Sequence, residues 1–347
     1  MRSLPEPPFR AALMLPRWLG DAVMGSALIE PLAAFSGAAV EIWGPAAYAE
    51  LFVAGGDIAG FRVYEGHGIH RGLRGLRRFR REFSGPRPEV LWILPDSFSS
   101  ALAARFAGIR LRVGRAAQGR SFLLSHALRG MSRDRSRHWS LEKGELLTAF
   151  SDAAILADPK PGLSLFDPLP DFEQWMKKEG ISPNNYVIYA PGALFGPGKR
   201  WSGFAEFSST IPESLEILLV GAEADREQIE SLQSELRGVG RQARSYIGKL
   251  PLSRLARLFA SARFTLSNDS GAMHLAAAAG GKVLGLFLST DPVWTAPLGP
   301  KARVLAAEVD CRPCFLPQCP LTRMKCQDSL FPRRVREVLA DWIEESP

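Results

Sequence analysis

The sequence predicts an α/β protein with two similar domains, each built on a parallel sheet. Three observations predict this fold class: the length, the order of strand-like and helical segments, and a proline-rich stretch near the middle. At 347 residues the chain is longer than one ordinary core requires. Two domains of roughly 150 residues each are therefore expected.

Strand-like and helical segments alternate in the first half. The strand-like runs at 11–16, 38–43 and 89–94 each precede a turn and a helical pattern. This alternation is typical of a parallel sheet covered by helices on both faces. The first half is therefore predicted to be a Rossmann-like unit.

The second half repeats the pattern. Its strand-like runs lie at 186–192, 215–221, 263–269 and 282–287. Two such domains imply a cleft between them, and open α/β sheets bind ligands beyond the carboxyl ends of their strands. Residues that follow the strands are therefore the first candidates for a site.

The proline-rich segment 158–172 is the predicted linker. We predict an N-terminal domain over 1–165 and a C-terminal domain over 166–330. The last segment, 331–347, is expected to form a helix and is a candidate to pack back on the N-terminal domain.

Composition and charge narrow the class of protein. No run of about 18 apolar residues is available to span a membrane, and the N-terminus does not look like a signal peptide, so a cytoplasmic protein is expected. The formal charge is +7, and the region from Arg62 to Arg137 contains many arginines and no lysine. Nucleic acid, anionic lipid or a phosphorylated sugar would suit this positive field.

The loop after the first strand of the second half contains Gly192, Gly196, Gly198 and Lys199. The glycines allow close backbone approach, and the lysine supplies a positive charge. The loop is not a Walker motif, because Arg200 stands where Ser or Thr is required. A flexible connection with an exposed lysine is the alternative interpretation.

The stretch SNDSGAMHLAAAAG follows a strand and begins a helix near Gly271. The first amides of a helix can bind a diphosphate, and Asn268, Ser270 and His274 would add polar groups at the same end. Alternatively, Asp269 or Ser270 is the N-cap and His274 is a packed polar residue.

Asp21 follows the first strand, where a helix begins. It is either an N-cap or a carboxylate that accepts a proton from an incoming hydroxyl. Sequence position alone does not separate the two roles.

The cysteines form one cluster near the C-terminus. Clustered cysteines in a reducing cytoplasm favour a metal over disulfides, but the spacing matches no standard zinc pattern. A loop of free thiols is the preferred interpretation, with a metal site as the alternative. The cluster is Cys311, Cys314, Cys319 and Cys326.

Together, the segments 18–32, 189–201, 220–228 and 267–299 resemble glycosyltransferase family 9, the ADP-heptose:lipopolysaccharide heptosyltransferases. The cysteine tail followed by SLFPRRVREVLADWI resembles the second inner-core heptosyltransferases of that family. The resemblance covers both domains, and its D-S-G-x-x-H segment is specific. It implies a GT-B architecture of two Rossmann-like domains facing across a cleft, with the donor on the C-terminal domain and the acceptor on the N-terminal one.

The resemblance also implies the reaction. Heptose would pass from ADP-heptose to the inner core of lipopolysaccharide with inversion, and no cofactor or obligatory metal would be required. The residues fit this independently, because a cationic loop and a helix N-terminus can offset the charge of a leaving diphosphate. The expected partners are a nucleotide-sugar donor, a lipopolysaccharide precursor and the cytoplasmic face of the inner membrane, with no nucleic acid.

The matching motifs imply roles for individual residues. Asp21 would be the catalytic base, Lys199 would pair with the diphosphate, and Glu223 would bind the nucleoside or its ribose. The remaining donor-binding positions are Gly192, Ala193, Asn268, Asp269, Ser270, Gly271 and His274.

The segment 71–83 is predicted to form a basic amphipathic helix with Leu73, Leu76 and Phe83 on one side. We expect it to attach the acceptor domain to an anionic membrane or acceptor. The alternative is that its apolar residues pack on the sheet and its arginines are merely solvated. The candidate contacts are Arg71, Arg74, Arg77 and Arg78.

Two other functions stay open at this point. A GT-B transferase or epimerase acting on another nucleotide sugar would need the same diphosphate-binding loops. A nucleic-acid-binding protein would suit the charge, but no stacking motif, zinc finger or RRM signature is present.

Overall fold

The structure is a computed structural model, and it divides into two compact units, Met1–Asp167 and Pro168–Pro347. The division falls within the predicted linker, of which residues 158 and 164–170 lie outside the described residues, as does the predicted boundary at 165/166. The structure describes residues 3–129, 135–149, 159–163 and 171–345.

The first unit contains a six-stranded, fully parallel sheet. Its strands are β1 (Ala11–Met14), β2 (Val40–Gly44), β3 (Ile58–Val63), β4 (Val90–Ile93), β5 (Leu111–Arg115) and β6 (His126–Leu128). They lie in the order β3-β2-β1-β4-β5-β6. All residues of β1 and β4 are buried, as expected for central strands covered on both faces.

The helices of the first unit follow its strands. They are α1 (Leu19–Gly25), α2 (Ile29–Ser36), α3 (Gly72–Glu82), α4 (Phe98–Phe106) and α5 (Trp139–Thr148). Leu76 and Phe79 of α3 are buried in the same core as Trp43 and Leu91, so this helix packs by its apolar stripe.

The second unit repeats this architecture. Its strands are β7 (Tyr186–Ala190), β8 (Glu216–Leu219), β9 (Ala243–Ser245), β10 (Phe264–Asn268), β11 (Val283–Phe287) and β12 (Ala302–Ala306). Their order is β12-β11-β10-β7-β8-β9, and every pairing is parallel. Both sheets therefore have the Rossmann strand order, which confirms the predicted fold class.

The helices of the second unit cover this sheet. They are α6 (Phe172–Glu179), α7 (Phe204–Ser208), α8 (Arg226–Gly238), α9 (Leu252–Ser261), α10 (Gly271–Ala278), α11 (Pro292–Thr295), α12 (Lys325–Ser329) and α13 (Pro332–Glu344). Helix α6 ends at Glu179, and the following Gly180, with a φ of +65°, closes the last turn at little steric cost.

The last helix, α13, belongs to the second unit. Its residues Val335, Leu339, Trp342 and Ile343 are buried in that unit's own core. The expected helix is therefore present, and the expectation that the segment packs back on the N-terminal domain stays a prediction. The apolar positions recur at helical spacing and so form one stripe, and the second unit's core buries that stripe.

All seven predicted strands are present. The sequence did not reveal β3, β6, β9 and β12, which are the edge strands of the two sheets, or β5 beside β6. Edge strands are partly exposed and carry polar residues, so they lack the continuous apolar run that marks a buried strand.

Candidate active site

The chain order reverses between the neighbouring strands β7 and β10 of the second unit. The loops that follow these two strands leave the sheet in opposite directions, which creates a crevice at its carboxyl edge. The β7 loop carries Lys199, and the β10 turn carries Asp269 and Ser270. The topology therefore brings two of the predicted motifs to one place.

Lys199 and Asp269 form an ion pair at this edge. The Lys199 Nζ lies 2.6 Å from the Asp269 Oδ2, and the Thr290 hydroxyl donates to the same oxygen at 2.7 Å. The Asp269 side chain is 3% exposed and the Lys199 side chain 15% exposed. The ammonium is thus held by a buried carboxylate but can still reach solvent.

Asn268 joins the two loops. Its Oδ1 accepts from the Trp201 backbone amide at 3.0 Å, and its Nδ2 donates to the Pro191 carbonyl at 2.6 Å. The side chain is fully buried. These contacts hold the loops on either side in place, and the predicted contact of Asn268 with the donor stays a prediction.

Helix α10 begins at Gly271 with Ser270 at its N-cap position. The Ser270 side chain makes no capping hydrogen bond and lies 3.3 Å from the Ser267 hydroxyl. The side-chain capping that the sequence left open, by Asp269 or Ser270, is therefore not observed. The first amides of a helix have no intrahelical acceptor, so this end of α10 suits an anion. His274 lies one turn into the helix and is 3% exposed.

Glu223 follows β8 and is paired with Arg226, whose Nε and Nη2 lie 2.5 and 2.7 Å from its two oxygens. The hydrogen bonds from Arg226 lower the pKa of the Glu223 carboxyl. Its side chain is 68% exposed, so it lies at the surface of this edge. It sits beside the loop after β9, since a Cβ on Gly248 would lie 3.1 Å from its Oε2.

Asp225, which sequence reasoning missed, is the buried acid of the same turn. Burial raises the pKa of its carboxyl. The hydrogen bond from the Ala222 amide to its Oδ2, at 3.1 Å, acts in the opposite direction but is the smaller effect. Its Oδ1 has no hydrogen-bond partner among the described residues. A Cβ on Gly192 would lie 2.4 Å from Oδ2, so any larger residue at position 192 would collide with this carboxylate. The neighbouring Ala193 is buried. The position of Asp225 in the turn after β8 is the feature of the sequence that could have identified it as a candidate.

Asp21 lies at the carboxyl edge of the first unit's sheet, after β1. It is the third residue of α1, whose N-cap position is occupied by Trp18, so it is not the N-cap. A carboxylate in the first turn of a helix is favoured by the helix dipole. Its charge helps to raise the pKa of Tyr48, an effect that is due first to burial. The Asp21 side chain is half-buried.

A second charged group of the first unit surrounds Asp96, which follows β4. The Lys143 ammonium lies 3.2 Å from both Asp96 oxygens, the Arg115 Nη1 lies 3.4 Å from Oδ2, and the Arg120 Nη2 lies 3.6 Å from Oδ1. Glu142 pairs with Arg115 at 3.0 Å. Burial lowers the pKa of the Arg120 guanidinium to about 10. No motif in the sequence indicates this cluster, because its members are dispersed along the chain.

The arginines of α3 lie on its exposed side. Leu76 and Phe79 are buried and Phe83 is half-buried, whereas Leu73 is 59% exposed, so the alternative of packing on the sheet does not hold for Leu73. Leu73 therefore lies outside the apolar stripe of α3 that packs against the core. The exposed arginines include Arg74, Arg77 and Arg78 of the helix and Arg71 at its N-cap position.

The four cysteines line one cavity of about 30 Å³ in the second unit. They are not joined by disulfides, and they range from exposed at Cys311 and Cys314 to buried at Cys326. In the part of the chain that the structure describes, no three Cys, His, Asp or Glu side chains are grouped as a metal site. The same residues include no helix long and apolar enough to cross a bilayer.

The fold is that of solved GT-B heptosyltransferases. It matches the Escherichia coli ADP-heptose lipopolysaccharide heptosyltransferase II with a TM-score of 0.75, at 23% identity, over 96% of this chain and 98% of that one. It matches a family 9 glycosyltransferase of Veillonella parvula with a TM-score of 0.80, at 15% identity, over 99% and 100% of the two chains. The two Rossmann-like units are thus the two domains of a GT-B protein.

The sequence places the chain in one family of that class. The profile of glycosyltransferase family 9 (heptosyltransferase) matches residues 76–325, so the chain belongs to this family and is a glycosyltransferase. It is 29% identical over 310 residues to the lipopolysaccharide heptosyltransferase 2 of Salmonella typhimurium, covering 84% of this chain and 86% of the relative. The corresponding enzyme of Escherichia coli is 29% identical over 308 residues, with the same coverage. The resemblance noted in the sequence is confirmed.

Proposed function

We propose that the chain transfers heptose from ADP-heptose to the inner core of lipopolysaccharide, with inversion at the anomeric carbon. Family membership and the names of the full-length relatives support this reaction. The observation that carries the proposal is the Lys199–Asp269 pair at the carboxyl edge of the second sheet, beside the start of α10. A cation next to a helix N-terminus is a suitable place for a diphosphate.

When the donor binds, its diphosphate would replace the Asp269 carboxylate as the main partner of the Lys199 ammonium. Lys199 pairs with a single carboxylate, and its ammonium is the more exposed member of the pair. A diphosphate offers this ammonium additional charge and acceptor oxygens, while the amides at Gly271 and the hydroxyl of Ser270 supply donors. Glu223 would then accept from a ribose hydroxyl, and Asp269 would remain near the sugar.

In the transfer step, Asp21 takes the proton of the acceptor hydroxyl as that oxygen attacks the anomeric carbon. The new carbon–oxygen bond forms on the face opposite the diphosphate, and the old bond breaks with its electron pair leaving on ADP. ADP departs already ionised, so no general acid is needed. We propose that Lys199 and the α10 amides offset its charge, which is the task a metal ion performs in other transferases.

Product analysis tests the proposed reaction. The purified chain would be incubated with ADP-heptose and a truncated-core lipopolysaccharide, and the new linkage identified by mass spectrometry and NMR. We expect one heptose added with inverted configuration, and no product with ADP-glucose under the same conditions. Equal transfer from another nucleotide sugar, or epimerisation of the donor without transfer, would contradict the donor assignment.

We further propose that α3 attaches the protein to the cytoplasmic face of the inner membrane. Its arginines are exposed, and Ile69 and Leu73 beside them are 52% and 59% exposed. Exposed apolar side chains among arginines suit an anionic lipid surface.

Vesicle sedimentation tests this attachment. The Arg74→Gln/Arg77→Gln variant should bind anionic vesicles at least roughly tenfold more weakly than wild type, since each arginine near such a surface contributes about 1 kcal/mol. The matched control, Arg237→Gln/Arg333→Gln, removes two exposed arginines of the second unit and should bind as wild type. Equal binding by both variants would exclude α3 as the attachment surface.

A further inference from the structure

The segment that contains the four cysteines, residues 311–326, packs against the loop that carries Lys199. The Gly198 amide donates to the Pro317 carbonyl at 2.7 Å. A Cβ on Gly198 would lie 2.4 Å from the Leu316 carbonyl oxygen, and one on Gly196 would lie 2.5 Å from that of Pro317. The backbone of this cysteine segment therefore fixes the path of the loop immediately before Lys199.

The same segment also contacts the loop after β11. The Phe315 amide donates to the Ser289 carbonyl at 2.8 Å, and the Arg312 Nη1 donates to the Thr290 carbonyl at 3.2 Å. Arg312 is itself anchored, because its Nε donates to the Ala307 carbonyl at 2.6 Å. The segment thus holds the backbone of Thr290 from one side.

Thr290 transmits this support to the ion pair. Thr290 is 5% exposed, and its hydroxyl donates to the Asp269 Oδ2 that also accepts from Lys199. An unbroken line of contacts therefore runs from Arg312 through Thr290 and Asp269 to the ammonium. Each link is a hydrogen bond or ion pair between buried or half-buried groups.

We propose that the cysteine segment is a scaffold for donor binding, and that Thr290 and Arg312 are positioning residues for Lys199. The inference rests on the proposed function, because it assumes that Lys199 binds the donor diphosphate. Thr290 fixes the rotamer of Asp269, and Asp269 fixes where the ammonium stands before the donor arrives. Positioning of this kind reduces the ordering that binding would otherwise require. The scaffold also gives the cysteine loop a role that requires no metal.

Calorimetric titration with ADP and steady-state kinetics test the proposal in the full-length protein. Thr290→Val keeps the shape and removes the hydroxyl, whereas Thr290→Ser keeps the hydroxyl. We expect Thr290→Val to weaken ADP binding and raise the donor KM about tenfold, as for loss of a hydrogen bond to a charged group. Thr290→Ser should restore both to within about twofold of wild type.

A double-mutant cycle tests the connection to Arg312. Arg312→Met should weaken ADP binding several-fold, and the Thr290→Val/Arg312→Met pair should lose less than the product of the single effects, because both act through one line of contacts. Arg303→Met is the matched control. Arg303 also donates to a carbonyl, that of Val338, and pairs with Asp341 on α13, so its loss should lower the melting temperature without changing ADP affinity.

The outcomes separate this proposal from the proposed function. Absence of ADP binding by the wild-type protein would overturn both. Normal wild-type binding with unchanged ADP affinity in Thr290→Val would overturn only the scaffold. So would a Thr290→Ser variant as weak as Thr290→Val, or an Arg303→Met variant that loses as much affinity as Arg312→Met.

Discussion

The carboxyl edges of the two sheets share one strand order but differ in how their charges are arranged. In the first unit, three cations surround the carboxylate of Asp96, and the Lys143 side chain among them is only 3% exposed. In the second unit, Asp269 holds a single cation, the Lys199 ammonium, which is 15% exposed. In the first unit, the charges are buried or half-buried and are paired with one another. In the second, the Lys199 ammonium can still reach solvent, and we propose that the donor diphosphate binds it there.

The shared strand order therefore sets only the position at which a site can form. A few side chains in the loops make this edge a largely buried salt-bridge cluster in the first unit and, in our proposal, a diphosphate site in the second. In the first unit, the residue proposed for chemistry is Asp21, outside the Asp96 cluster. The comparison therefore predicts separate effects on catalysis, donor affinity and stability.

The largest effect is expected at Asp21. Asp21→Asn removes the proposed base but keeps the size of the side chain, so transfer should fall about 10²–10⁴-fold while ADP affinity stays unchanged. Single-turnover kinetics and ADP titration measure the two quantities. Asp57→Asn, a change at an exposed position of the same unit, serves as the control. Normal turnover in Asp21→Asn would remove the residue from this role.

Lys199→Met should affect binding and chemistry together, because the diphosphate is charged in the ground state and gains charge as it departs. We expect ADP affinity to fall about 10–100-fold and the transfer rate to fall further. Lys301→Met removes an exposed lysine before β12, at the opposite edge of the sheet, and should leave both unchanged. If Lys199→Met weakens ADP no more than Lys301→Met does, the second edge does not bind the diphosphate through this ammonium.

The two acids should differ in their contribution to stability. Asp96→Asn leaves Arg120 and Lys143 buried without their carboxylate and should cost about 3–5 kcal/mol. Asp269→Asn should cost less, about 1–3 kcal/mol, because the Lys199 ammonium can turn toward solvent. Equilibrium unfolding in urea of both variants measures the difference. Equal costs would contradict the distinction between a closed and an open charge cluster.

The smallest effect concerns Asp225 and depends on pH. Burial raises the pKa of this carboxyl in the folded state, so the folded protein binds this proton more tightly than the unfolded chain does. The stability from this group is therefore greatest at low pH and declines as the pH rises through the folded pKa. Asp225→Asn removes the charge and should become more stable relative to wild type above about pH 4, by on the order of 1 kcal/mol or less.

Urea unfolding at pH 4 and pH 7 measures this change. Asp310→Asn, at an exposed position of the same unit, should show no such dependence on pH. A stability difference for Asp225→Asn that shrinks between pH 4 and pH 7 would show that the charged carboxylate is stabilised rather than penalised in the folded protein.

Much of the site could be predicted because its residues follow central strands. The apolar runs before Lys199 and Asp269 identify β7 and β10, and parallel strands direct their carboxyl ends to one edge. The pairing of these two side chains was not predictable, because the sequence does not specify which loop residues meet. The same applies to Thr290 and Asp225, whose hydroxyl and carboxylate gain their importance only from what they contact.

Hydrophobic periodicity and short motifs are local properties of the chain, so they were sufficient to predict the two-unit α/β class, the central strands other than β5, and the family. The contacts of the folded protein were needed to show that Asn268 joins two loops, that α13 completes the second core and that the cysteine segment supports the Lys199 loop. These roles depend on contacts between residues far apart in the chain, such as Asn268 with Pro191 at 2.6 Å. Such contacts exist only once the strands have paired and the loops between them have been packed.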